Sequence, residues 1–94
     1  MKGLSVKGHI VPYGKIADST DFGALLRQKR REAGLNQYKV AGLSGVGMRF
    51  LSELERGKPT VELGRALRVA RRLGLDIWLL PRGEAPGKAS DTGG

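Results

Sequence analysis

Between Gln37 and Lys58 the sequence gathers side chains suited to gripping and reading a polyanion rather than to transforming a substrate. Arg49 carries a planar guanidinium able to bond a guanine edge with two N–H groups, a contact that discriminates between bases by ~1–3 kcal/mol. Met48 beside it offers an apolar tip for a thymine methyl. Gln37 stands at the start of an expected helix, where free backbone N–H groups favour phosphate. Lys39, Arg56 and Lys58 flank this set and supply phosphate contacts, which raise affinity without choosing sequence. Phe50 reads two ways, as a base contact or as a side chain buried against the preceding helix. Ser52 and Glu53 lie further along, and Glu53 reads as solvated.

Composition narrows the chemistry. The 94 residues hold 17 Lys and Arg against 9 Asp and Glu, a formal charge of +8, and such a field attracts nucleic acid or an anionic membrane surface. There is no cysteine, so disulfides, thiol catalysis and cysteine-ligated zinc are excluded. The single histidine, His9, cannot build a metal site or a Ser-His-Asp triad alone. No carboxylate pair, phosphate-binding loop or nucleophile–base set is visible, so no catalytic site, metal, cofactor or small-molecule substrate is expected. No apolar run approaches ~18 residues, and Met1–Ile10 lacks the apolar centre of a signal peptide. A single small cytoplasmic domain, neither crossing nor bound to a membrane, is the expectation.

Two helices must hold the reading side chains in place. Counted from Gln37, Val40 is fourth, Ala41 fifth, Gly45 ninth, Val46 tenth, Leu51 fifteenth and Leu54 eighteenth. Ala41 lets a second helix approach closely, and Gly45 can take the positive φ that bends the chain between helices. The four larger residues then pack the two helices together at a steep angle. Six positions agreeing over eighteen residues point to a helix-turn-helix, whose second helix is presented to the major groove of DNA.

The rest of the chain supplies the support. Residues 1–17 form a partly irregular arm, because Gly3, Gly8, Pro12 and Gly14 interrupt every apolar run, leaving room for one short strand. Asp18 or Ser19 caps a first helix with Phe22, Leu25, Leu26 and Ala33 on its apolar stripe, while Arg27, Lys29 and Arg31 fall mainly outside it. Gly34 ends that helix, and Asn36 caps a second of roughly Gln37–Leu43. Gly42 inside it costs about 1 kcal/mol relative to Ala, which a close backbone approach would explain. Gly47 begins a third helix, about Met48–Arg56, which Gly57 stops. Thr60 caps a fourth with Leu63, Ala66, Leu67, Ala70 and Leu73 on its stripe. Its remaining faces carry Arg65, Arg68, Arg71 and Arg72, either a solvated surface or one that meets DNA or a protein.

Beyond Gly74, Leu75-Asp-Ile-Trp-Leu-Leu80 has strand character and Pro81 terminates it. A lone strand leaves both edges unpaired, and these side chains are too apolar to leave in water. Its partner is either the N-terminal segment or the same strand of a second copy. The second choice makes Leu75, Ile77, Trp78, Leu79 and Leu80 a dimerisation element and gives a two-fold reader with two half-sites. The expected organisation is thus an arm (1–17), a helix-turn-helix domain (18–74), a dimerisation strand (75–81) and a disordered tail (82–94).

Two stretches, Gly34-Leu-Asn-Gln37 and Phe50-Leu-Ser-Glu-Leu-Glu-Arg-Gly-Lys58, resemble the Xre/Cro-type helix-turn-helix family that includes phage repressors. Arg49–Thr60, together with Leu73-Gly-Leu-Asp-Ile77 and the apolar segment after it, is similar to HipB-like antitoxins. The likeness covers roughly residues 18–81. It implies a mainly α, compact four-helix fold like that of lambda repressor, with a C-terminal strand pairing across a homodimer. It further implies binding to a palindromic operator, repression of the protein's own operon, and a HipA-like kinase toxin as partner. The matching Gln37 would touch the DNA backbone. Arg30 and Glu55 match an ion pair beneath the reading helix, with a phosphate contact from Arg30. Asn36, Gly47 and Gly42 depart from the family pattern, although Asn and Gly are acceptable caps. The alternatives are a stand-alone repressor of the same family, or a non-catalytic protein- or RNA-interaction module on the same fold.

Overall fold

Four helices form in the order α1 (Ser19–Glu32), α2 (Gln37–Ser44), α3 (Met48–Glu55) and α4 (Leu63–Arg72) in the computed structural model, which describes residues 14–84. All four belong to one unit, Ile16–Ile77, and residues 14–15 and 78–84 belong to a second. Of the expected arm (1–17), with its room for one short strand, residues 1–13 lie outside the described residues, as do residues 85–94 of the expected tail (82–94).

Local chemistry sets the helix ends. The Asp18 carboxylate accepts the backbone N–H of Asp21 at 3.0 Å, and the Asp21 carboxylate accepts that of Ala17 at 2.9 Å. These bonds satisfy donors that a helix start otherwise leaves open. Asn36 does the same for α2, accepting the Lys39 N–H at 2.8 Å. At the other end of α2, Gly45 takes φ 68° and ψ 34°, and the Val46 N–H returns to the Ala41 carbonyl at 3.0 Å. That left-handed residue is what turns the chain from α2 into α3.

The core is built from Leu26 of α1, Val40 and Ala41 of α2, Leu51 and Leu54 of α3, and Ala66, Val69, Ala70 and Leu73 at and beyond α4. Phe22, Leu35, Val46, Phe50, Val61 and Leu75 pack against its edge. Helix α1 lies on α3, and α2 lies on both α3 and α4. Small Ala41, Ala66 and Ala70 let α2 and α4 come close, while each buried Leu or Val contributes roughly 1.5–3 kcal/mol of apolar burial.

Four details depart from the sequence expectation. The inward face of α1 runs Phe22–Gly23–Leu26–Arg30, and Ala33, just past the last turn, is exposed. Gly23 belongs on that face because α1 crosses α3 there: a Cβ would collide with the Leu54 carbonyl and lie 2.7 Å from that of Glu55. Helix α4 starts at Leu63 rather than beside Thr60. Glu62 is its cap, its carboxylate accepting from Gly64 N (3.1 Å) and Arg65 N (2.9 Å), so two free donors are satisfied by one side chain. The later start leaves Leu63 exposed at the helix end and makes Val69 a core residue.

Gly42, by contrast, makes no close backbone approach; a Cβ there would meet nothing within 4 Å. Its expected cost therefore has no packing return. Finally, among the described residues 75–80 form neither helix nor strand. A strand exists only through a ladder with a neighbour, and the described chain supplies none to this segment. Ile77, Trp78 and Leu79 are exposed, Leu79 at 95%.

Candidate nucleic-acid interface

Helix α3 owes its position to Glu55 at its last turn. The Glu55 side chain is 2% exposed, and Arg30 of α1 reaches it with two arms, Nε to Oε2 at 2.7 Å and Nη2 to Oε1 at 3.0 Å. A third guanidinium N–H, on Nη1, donates to the Leu35 carbonyl at 2.9 Å. Gln37, the first residue of α2, donates its Nε2 to Glu55 Oε1 at 3.0 Å. One carboxylate thus joins α1, α2 and α3. Bidentate, charge-assisted bonds of this type fix orientation as well as adding energy. They leave Gln37 with its amide oxygen and one N–H uncommitted, and Arg30 with two N–H groups.

The opposite end of α3 is open. Its first turn projects Met48, which is exposed, and Arg49, whose side chain is 91% exposed. Phe50, next in line, is half-buried and packs against the core, and the Arg65 guanidinium lies 5.9 Å from its ring centroid. Lys39 and Arg56 are exposed. Lys58, half-exposed, folds back to Glu53 at 3.1 Å, and Arg49 Nε approaches the same carboxylate at 3.3 Å. The hydrogen bond from Lys58 is the main reason that the Glu53 carboxyl is held below its ordinary value of 4.5, with Arg49 adding to the effect.

The structure therefore gathers Met48, Arg49, Lys58 and Glu53 around α3, and it anchors Gln37 and Arg30 to Glu55 beneath it. Two placements had no signal in the sequence. Arg68 of α4 donates from Nη1 to the carbonyls of Ser44 (3.1 Å) and Gly45 (3.5 Å), closing the turn between α2 and α3. Ser19 Oγ donates to the Gly57 carbonyl at 2.8 Å, fixing the far end of α3 to α1. Both are contacts between residues 23 or more positions apart, which periodicity does not encode. The four-arginine face of α4 is consequently divided in role. Arg68 is structural, Arg65 covers Phe50 and approaches Glu62 at 3.8 Å, and Arg71 and Arg72 are exposed.

No group of three His, Cys, Asp or Glu suited to a metal ion occurs among the described residues. No helix of the described residues is long and apolar enough to cross a membrane.

Known proteins resemble this chain in sequence or in fold. The chain is 46% identical over 70 residues to an uncharacterized HTH-type transcriptional regulator, y4mF, of Sinorhizobium fredii, covering 74% of this chain and 92% of that one. It is 32% identical over 63 residues to the ImmF control region 10 kDa protein of Bacillus phage phi105, covering 67% and 70%. Among solved structures, HipB in an O4 20mer complex superposes with a TM-score of 0.68 at 20% identity, covering 73% of this chain and 97% of that one. A HipB variant in an O2 20mer complex gives 0.70 at 20% identity, covering 76% and 99%. At that identity the likeness is one of fold. Residues 21–81 match the family described as Helix-turn-helix domain. The chain therefore belongs to the Xre-type helix-turn-helix family of DNA-binding regulators.

Proposed function

We propose that the chain is a dimeric, sequence-specific repressor that reads a palindromic operator with α3, and that it serves as the antitoxin of a HipA-like kinase toxin in an autoregulated operon. The observation that carries the DNA part is the contrast along α3. Its rear is locked by the buried Glu55–Arg30–Gln37 cluster, while Met48 and Arg49 project into solvent from its first turn, Arg49 tethered only by its exposed ion pair with Glu53. A rigid support and an exposed bidentate donor are what base readout requires. Lys39, Arg56 and Lys58 supply phosphate contacts around it, with Gln37 and the spare N–H groups of Arg30 at the backbone. Phe50 braces the helix from the core side. Such a protein acts in the cytoplasm, where its operator is.

Dimerisation is supported by the apolar segment Leu75, Ile77, Trp78, Leu79 and Leu80, whose exposed members call for a partner. The antitoxin reading is supported by the likeness of Arg49–Thr60 and Leu73–Ile77 to HipB-like antitoxins. A stand-alone repressor is the second reading, favoured by relatives named only as a regulator and a control-region protein.

Competition at fixed salt among a duplex enriched from a random pool, random duplex and RNA tests the DNA part. The enriched duplex should win, as a palindrome with half-site centres about 34 Å apart; equal binding to all three contradicts sequence-specific reading, since a basic protein holds any polyanion at low salt. Light scattering should report a dimer that is lost on deleting Leu75–Leu80. A kinase-like reading frame beside the gene, with a product that co-purifies, separates antitoxin from stand-alone repressor.

A further inference from the structure

Glu53 stands one helical turn beyond Arg49, on the same face of α3. Its carboxylate is divided between two cations: Oε2 lies 3.3 Å from Arg49 Nε, and Oε1 lies 3.1 Å from Lys58 Nζ. Both partners belong to the proposed DNA surface. The Glu53 side chain is 23% exposed, so it is set into that surface rather than waving above it. An ionised carboxylate only accepts hydrogen bonds. Beside a phosphate it is repelled, and in a groove it is satisfied only by an N–H on a base edge, of which the cytosine N4 amino group is the matching donor.

We infer that Glu53 is a specificity-determining residue: it holds Arg49 and Lys58 in ion pairs that a non-specific phosphate contact must break, and it releases them where a base-edge N–H takes their place. The inference rests on the DNA-reading function proposed above. Specificity is a difference between affinities, and an element that penalises the wrong partner widens it as surely as one that favours the right one. Exposed ion pairs are weak, so the restraint is easily exchanged: roughly a 1.5- to 5-fold effect for each pair broken. Two pairs released together would also expose two more cations to phosphate, steepening the salt dependence by up to about two counterions.

The test uses the full chain, a duplex enriched from a random-sequence pool by the wild-type protein, and a random duplex of equal length. Glu53→Gln removes the charge with little change of shape, and Glu32→Gln, on α1, makes the same change of net charge as a control. Glu53→Gln should tighten random-duplex binding several-fold more than Glu32→Gln and steepen its salt dependence. It should gain less, or lose, on the enriched duplex, so that the ratio of the two affinities falls. A pool selected by Glu53→Gln should lose a cytosine preference in each half-site. Equal tightening on both duplexes, or an effect matching Glu32→Gln, overturns the inference while leaving DNA reading intact. Failure of the wild-type protein to enrich any sequence overturns both. Should Glu53→Gln lose the wild-type circular dichroism, Glu53→Ser takes its place with the same outcomes.

Discussion

Glu53 and Glu55 are two residues apart on one short helix, yet they sit in opposite kinds of environment. Glu55 lies in the seam beneath α3, almost wholly out of solvent, with both oxygens bonded by α1 and α2. Glu53 lies on the open side, shared between Arg49 and Lys58 at longer range. Two of the glycines inside helices divide the same way. Gly23 is in the seam, where α1 touches the α3 backbone; Gly42 is on the open side, where nothing approaches it. What separates the two regions is exchangeability. Seam contacts cannot be replaced by water without leaving a buried charge or a clash, so they hold position. Contacts on the open side can be replaced at little cost, so they remain available to a partner.

The sharpest way to break the seam is Glu55→Ala. It strands a largely buried guanidinium, and urea unfolding should show a loss of about 3–5 kcal/mol. Next comes Gly23→Ala, which must push α1 away from the Leu54 and Glu55 carbonyls and should cost about 1–3 kcal/mol. The matching change on the open side has the opposite sign: Gly42→Ala should stabilise by up to about 1 kcal/mol, because it removes a flexible residue from a helix with room for a methyl. If both glycine variants moved stability in the same direction, the division into seam and open side would be wrong.

Glu53→Gln should have the smallest effect on stability. Its pH dependence gives it a signature. The folded-state value of Glu53 is lowered, so its contribution is present above about 4.5 and fades as pH falls through the lowered value. Wild-type and Glu53→Gln stabilities should therefore differ slightly near neutrality and converge in acid. A difference that persists or grows at low pH would show that the ion pairs are not its source.

Much of this was legible because it is local. Asp18, Asn36 and Gly45 act within four residues of themselves, so their types announce where helices begin and turn. The placing of Met48 and Arg49 at the start of α3 follows from the same spacing. The sequence points to Thr60 rather than Glu62 as the cap of α4, because a long carboxylate reaching forward to the helix it precedes is a weaker signal than a hydroxyl beside a proline. Gly23 carried a hint, a glycine inside an apolar helical stripe, but the reason for it is a carbonyl thirty-one residues away. Arg68 carried none, because its role depends on where α4 falls across the α2–α3 turn. The strand over 75–80 is a different case. Apolar composition marks a segment that needs covering, but a ladder belongs to two segments and cannot be read from one.

The account stands most directly on Arg49 as a reader of base identity. Binding of Arg49→Ala to the duplex enriched by the wild-type protein, and to variants changed one base pair at a time, measures this. The expected result is a loss of about 1–3 kcal/mol on the enriched duplex, confined to one base position per half-site, with random-duplex affinity changed far less. An equal loss on every duplex would assign Arg49 to phosphate and remove the reading role from the open end of α3.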